Sequence, residues 1–180
     1  LADTAARLGV DRDGRDLIAR AFEAGMAPRI DAGLDDHHPD FLHTARTALI
    51  LMDDTGAADP ATLAAALVTE TREADLRMEE DEVRRLGEDV AALAAAVPDP
   101  AAEGLIERLV TADPALRLVA LAERLDHARH LHLRDPGEWA AYHALTCAAY
   151  APVAGRAHPV LERRFSHWCR TFARRFTVGG

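Results

Sequence analysis

Three of the four aspartate–proline steps, Asp59-Pro60, Asp113-Pro114 and Asp135-Pro136, each head a helix-forming run, the first two rich in alanine and leucine. Aspartate accepts hydrogen bonds from the free N–H groups of a first helical turn, and proline loses nothing there because that N–H has no intrahelical partner. A chain punctuated in this way is committed to helices. Its remaining pattern agrees: apolar residues recur at helical spacing, β-branched runs are short, and no two-residue hairpin turn joins two alternating segments. The expected fold class is all-α, a helical bundle forming one domain over residues 1–180, with 1–12 and 177–180 loose. Helices are expected near 13–25, 39–54, 60–70, 79–96, 101–111, 114–133, 137–155 and 159–176. Gly56, Gly87 and Gly155 fall at expected ends or breaks, and Pro98 to Pro100 separates two helices.

Composition narrows the function classes. Arginine supplies all 21 basic charges against 30 carboxylates, and the net charge of -9 argues against nucleic acid as a partner, which needs a basic footprint. No apolar run is long enough to span a membrane, and the amino end, LADTAARLGVDRDGRD, is too charged for a signal peptide. Cys147 and Cys169 are the two cysteines and lack metal-type spacing, so no disulfide framework is expected and a reducing, cytoplasmic compartment is the simpler reading. No glycine-rich phosphate loop, Ser-His-Asp arrangement or dinucleotide fingerprint is visible. His37 and His38 read as surface residues, His130 and His132 as helix-end residues favoured by the macrodipole, and His143, His158 and His167 as isolated.

The last helix places Leu161, Phe165, Trp168, Phe172 and Phe176 on one stripe, with Arg163, Arg164, Arg170, Arg174 and Arg175 around it. That pattern reads as a core-packing face with a solvated basic back. Residues 70–89 carry nine carboxylates against four arginines. Attraction between the two regions, within one subunit or between two copies, accounts for both and admits a homo-oligomer.

Two helices are apolar on nearly all sides and then turn polar abruptly. PATLAAALV runs into Thr69, Glu70, Thr71, Arg72 and Glu73, and ALRLVALA runs into Glu123, Arg124, Asp126 and His127. Carboxylates at the ends of buried helices are costly unless paired or bound to a cation, so both ends are candidate site walls.

The order of these segments resembles the HD-domain phosphohydrolases, specifically the alarmone (ppGpp) hydrolases of the SpoT type and their small relatives. FLHTARTALIL resembles the helix carrying the family's first metal-binding histidine and places it at His43; TLAAALVTETREAD resembles the segment with the His-Asp pair; LRLVALAERLDHARHL resembles the helix with the distant aspartate. The resemblance covers roughly residues 20–176 and implies an HD-domain-like bundle in a bacterial, cytoplasmic protein. It further implies a divalent cation, manganese by analogy, activating water for attack on a phosphate. Its metal ligands fall on His43, Glu70 and Glu123, with Thr69 at the position of the pair's histidine. Glu73 falls where a proton-transfer carboxylate stands, while Arg29, Asp126 and His127 fall at nucleotide-contacting positions.

The pattern departs from the family at Thr69, at the two longer carboxylates, at Ala74 and in the single Arg29 of the basic segment. The first expectation is therefore a protein inactive in ppGpp hydrolysis that serves as a binding or regulatory module. The alternative is an active metal-dependent nucleotide phosphohydrolase with a rebuilt site, in which His127, one turn beyond Glu123, replaces the missing histidine. A site without metal would instead let Glu70 or Glu123 pair with Arg72 or Arg124.

Overall fold

The computed structural model describes residues 1–176, and every regular element among them is helical. The tail at 177–180, expected to be loose, lies outside the described residues. The main elements are α1 (Ala2–Arg7), α2 (Arg12–Asp31), α3 (His43–Leu49), α4 (Pro60–Val68), α5 (Glu80–Arg84) and α6 (Glu88–Ala96), followed by α7 (Leu105–Thr111), α8 (Pro114–His130), α9 (Pro136–Leu145), α10 (Ala151–Ala157) and α11 (Pro159–Phe176). All three aspartate–proline starts are used: the Asp59, Asp113 and Asp135 carboxylates accept from the N–H groups of Thr62, Ala115 and Gly137 at 2.8, 2.8 and 2.9 Å.

The core forms around α4 and α8. Leu63 to Leu67 have no exposed surface, and α8 is buried continuously from Val119 to Ala128. Five successive buried residues cannot belong to a helix that faces water on one side, so α4 is enclosed by α2, α3, α6 and α8. α2 crosses it at Gly25, where a Cβ would sit 2.1 Å from the Leu67 carbonyl oxygen, so the approach of the two backbones requires glycine. α11 buries Leu161, Phe165, Trp168 and Phe172 of its stripe and leaves its arginines outside, while Phe176, expected on the same stripe, is 39 % exposed.

Several boundaries differ from the sequence reading. The opening residues are folded: α1 buries Ala5, and Val10 follows it into the core. α2 continues through Pro28 to Asp31, because Arg29 on its last turn is held by buried partners. Gly87, at φ +141°, separates α5 from α6, and Gly104, at φ +69°, delays α7 to Leu105. Gly155 lies within α10, and the chain from α9 to α10 continues through a π-helical turn, Thr146–Tyr150.

Cys147 in that turn is disulfide-bonded to Cys169 in α11, which corrects the expectation of two unbridged cysteines and removes their support for a reducing compartment. Residues 70–89 and α11 do not neutralise each other within the chain. Arg84 pairs with Glu80, Asp81 and Glu88, Arg164 pairs with Asp54, and no ion pair joins the two regions among the described residues. No helix among the described residues is long and apolar enough to cross a membrane.

Candidate metal centre

The polar ends of α4 and α8 meet the start of α3. His43 is the first residue of α3, Glu70 follows the end of α4, and Glu123 and His127 lie one turn apart on α8. One ligand atom from each of these four buried residues lies within 4.8 Å of the others. The three expected ligands thus converge, and His127 joins them as the second imidazole. Thr69 does not, since its hydroxyl turns back to donate to the Ala65 carbonyl at 2.7 Å.

His127 Nε2 is the hub. It lies 3.3 Å from both Glu70 Oε1 and Glu123 Oε1. Two ligands on a tetrahedral ion with bonds of about 2.0–2.1 Å are separated by roughly 3.4 Å, so the spacing suits a shared cation as well as a shared proton. Glu70 is positioned by Arg29, whose Nη2 donates to Oε2 at 2.7 Å, and by the N–H groups of Arg72 and Glu73 at 3.0 and 3.1 Å. Glu123 accepts from the Thr71 N–H at 3.1 Å and from the Thr71 hydroxyl. These contacts draw two long side chains to one point.

His43 is oriented from behind. Its Nδ1 bonds Asp126 Oδ2 at 2.9 Å, and Arg46 donates to both oxygens of Asp126 at 2.9 and 3.0 Å. A carboxylate behind an imidazole fixes its tautomer and presents the other nitrogen, the arrangement that supports a metal-bound histidine. His43 Nε2 is buried and has no hydrogen-bond partner. The two imidazoles stack with centroids 3.9 Å apart.

Charge in the cluster is internally compensated. Burial pushes His127 down, but the Glu123 and Glu70 carboxylates outweigh it and raise the imidazole to about 10. Burial pushes Glu70 up; the hydrogen bond from His127 and the charges of both histidines overcome it and hold the carboxyl well below its usual range. Asp126 is likewise depressed, with burial outweighed by His43 and Arg46. Without a metal, the two carboxylates beside His127 Nε2 favour a proton on that imidazole.

The other expected site residues are engaged in hydrogen bonds and ion pairs around the cluster. Arg29 is 1 % exposed and its guanidinium is engaged by Glu70, the Asp40 carbonyl and the Gly25 carbonyl, so it holds Glu70 in place. Asp126 is fully buried behind His43, where it bonds the imidazole. Glu73 is held through Oε1 by Arg72 at 3.2 Å and Arg134 at 3.0 Å. The anticipated pairing of Glu70 or Glu123 with Arg72 or Arg124 is not formed: Arg72 bonds Glu73 and Glu138, while Arg124 bonds Thr146 and the Tyr142 carbonyl and lies over the Tyr142 ring. Asp40, Arg46 and Arg134 were not singled out in the sequence; the spacing of His43 and Arg46, one turn apart on α3, was the available signal.

A cleft of about 670 Å³ opens beside the cluster, lined in part by Thr71, Arg72, Glu73, Arg124, His127 and Tyr142. A smaller pocket of about 290 Å³ borders Glu70. The class defined by fold and site is an all-α protein with a buried two-histidine, two-glutamate cluster that could hold a metal ion. In comparisons with known proteins, no family model and no curated protein matches the chain.

Proposed function

We propose that the chain is an HD-domain-like protein whose His43, Glu70, Glu123 and His127 hold one divalent cation, and that it acts as a binding or regulatory module without ppGpp hydrolase activity. The observation that carries the metal is His43 Nε2, a buried nitrogen with no partner on an imidazole already oriented by Asp126 and Arg46. Two imidazoles and two carboxylates suit manganese or iron. Loss of the reaction is supported by what two residues do instead: Arg29 is consumed in holding Glu70, and Glu73 is held by two guanidinium groups.

The cleft favours a second reading, an active nucleotide phosphohydrolase. Thr71, Glu73 and His127 all line it beside the cluster, so a phosphate there would reach the site. The bound cation would supply hydroxide, and Glu73, released from Arg134, would accept a proton. Manganese-loaded protein incubated with ppGpp and a panel of nucleotides separates the two. The module reading expects bound manganese and no metal-dependent release of phosphate or pyrophosphate. Release abolished by Glu70→Gln would establish the hydrolase instead, and failure to bind manganese would overturn both.

A further inference from the structure

A second cluster of ligand atoms lies where α9 and the following π-helical turn meet α11. His143, Cys147 and Cys169 each offer one such atom within 4.8 Å of the others. We propose that these three residues form a redox-gated metal site, closed while Cys147 and Cys169 are bonded and open to a borderline cation such as Zn²⁺ when they are reduced. The inference is independent of the function proposed above.

The placement follows from the helices. His143 and Cys147 are four residues apart on continuous helical chain, so they share a face, and Cys169 projects from α11 opposite them with a Cα–Cα distance of 5.9 Å. A covalent staple needs two sulfurs and no imidazole, yet His143 Nε2 lies 3.5 Å from Cys147 Sγ and 2.8 Å from the Cys169 carbonyl oxygen. Its ring is kept there by Trp168 and Phe172, with centroids at 5.3 and 5.9 Å. All three candidate ligands are half-buried, so a reductant and an ion can approach while the aromatic side chains limit water.

The chemistry balances in two steps. A dithiol reductant breaks the S–S bond, leaving two thiols on the protein and itself becoming a disulfide. Zn²⁺ then displaces one proton from each thiol to solvent, with no further electron transfer. His143 Nε2 exchanges its bond to the Cys169 carbonyl for the ion as the ring proton moves to Nδ1, and water completes a four-coordinate site.

Co²⁺ is the probe, because a thiolate-to-cobalt charge-transfer absorption reports sulfur ligands and the His43 cluster has none. The expected result is one Co²⁺ per chain at this site with that absorption after dithiol reduction and removal of the reductant, none in the oxidised protein, and loss of the band in Cys147→Ser and Cys169→Ser. His143→Gln weakens the band at the same ion concentration, whereas Glu70→Gln leaves it unchanged. Far-ultraviolet circular dichroism accompanies the titration. Retained helix with no band overturns the proposal, as does a chain that unfolds on reduction and is not refolded by the ion; a band unaltered by His143→Gln overturns the imidazole's part.

Discussion

Arg29 and Glu70 are each 1 % exposed at the side chain, and charges so far from water persist because each guanidinium nitrogen and each carboxylate oxygen has a hydrogen-bond partner. Removing the guanidinium in Arg29→Ala leaves Glu70 with a buried, weakened set of partners, at an expected cost of about 3–5 kcal/mol in urea denaturation. A loss below about 1 kcal/mol would mean that His127 and the backbone N–H groups hold Glu70 without help. The same pairing sets a pH profile for metal-free protein. His127 is raised in the folded state to about 10, so its stabilisation is complete below its ordinary 6.5 and fades as pH rises through 10. Glu70 and Asp126 are lowered, so theirs is complete above the ordinary carboxylate range and is lost as pH falls through the depressed values. Urea midpoints measured with chelator present should therefore peak between about pH 5 and 6.5 and fall on both sides. A midpoint still climbing from pH 7 to 10 would contradict a protonated His127 beside the two glutamates.

At the level of elements, α2 and α4 approach closely at Gly25. Gly25→Ala places a Cβ 2.1 Å from the Leu67 carbonyl, which only a backbone shift can relieve, and is expected to cost about 3 kcal/mol or more. Gly155→Ala, whose Cβ would meet Glu162 at an ordinary 3.5 Å within a helix, should be neutral or stabilising by about 0.4–1 kcal/mol. Thermal denaturation of the two variants tests the ranking, and equal effects would refute it. Helix starts at Pro60, Pro114 and Pro136 were legible because the cap and the first-turn proline are local signals. The extension of α2 through Pro28 was not, because what holds it is an ion pair between residues 41 positions apart. The converging ends of α4 and α8 could be read from their abrupt polarity. The service of Asp126 to His43, across 83 positions, could not, and this is why nothing in the sequence signals that Asp126 orients a candidate ligand.

Across the molecule, one core runs from Ala5 to Phe165, and a smaller aromatic cluster joins α8 to α11 beside the Cys147–Cys169 bridge. That bridge closes a loop over a sequence separation of 22, which in the chain-entropy view contributes about 3 kcal/mol. Dithiol treatment without added metal should lower stability by that order in urea, and an unchanged midpoint would show that packing of α11 carries the junction alone. The central claim concerns the other cluster, in which side chains from α3, α8 and the segment after α4 converge. Its most direct test is Mn²⁺ titration of chelator-stripped protein, followed by electron paramagnetic resonance of the free ion, for the native chain and for His43→Ala with circular dichroism as the fold control. The expected result is one Mn²⁺ per native chain and none in the folded variant. No binding by the native chain, or binding that survives His43→Ala, would contradict it.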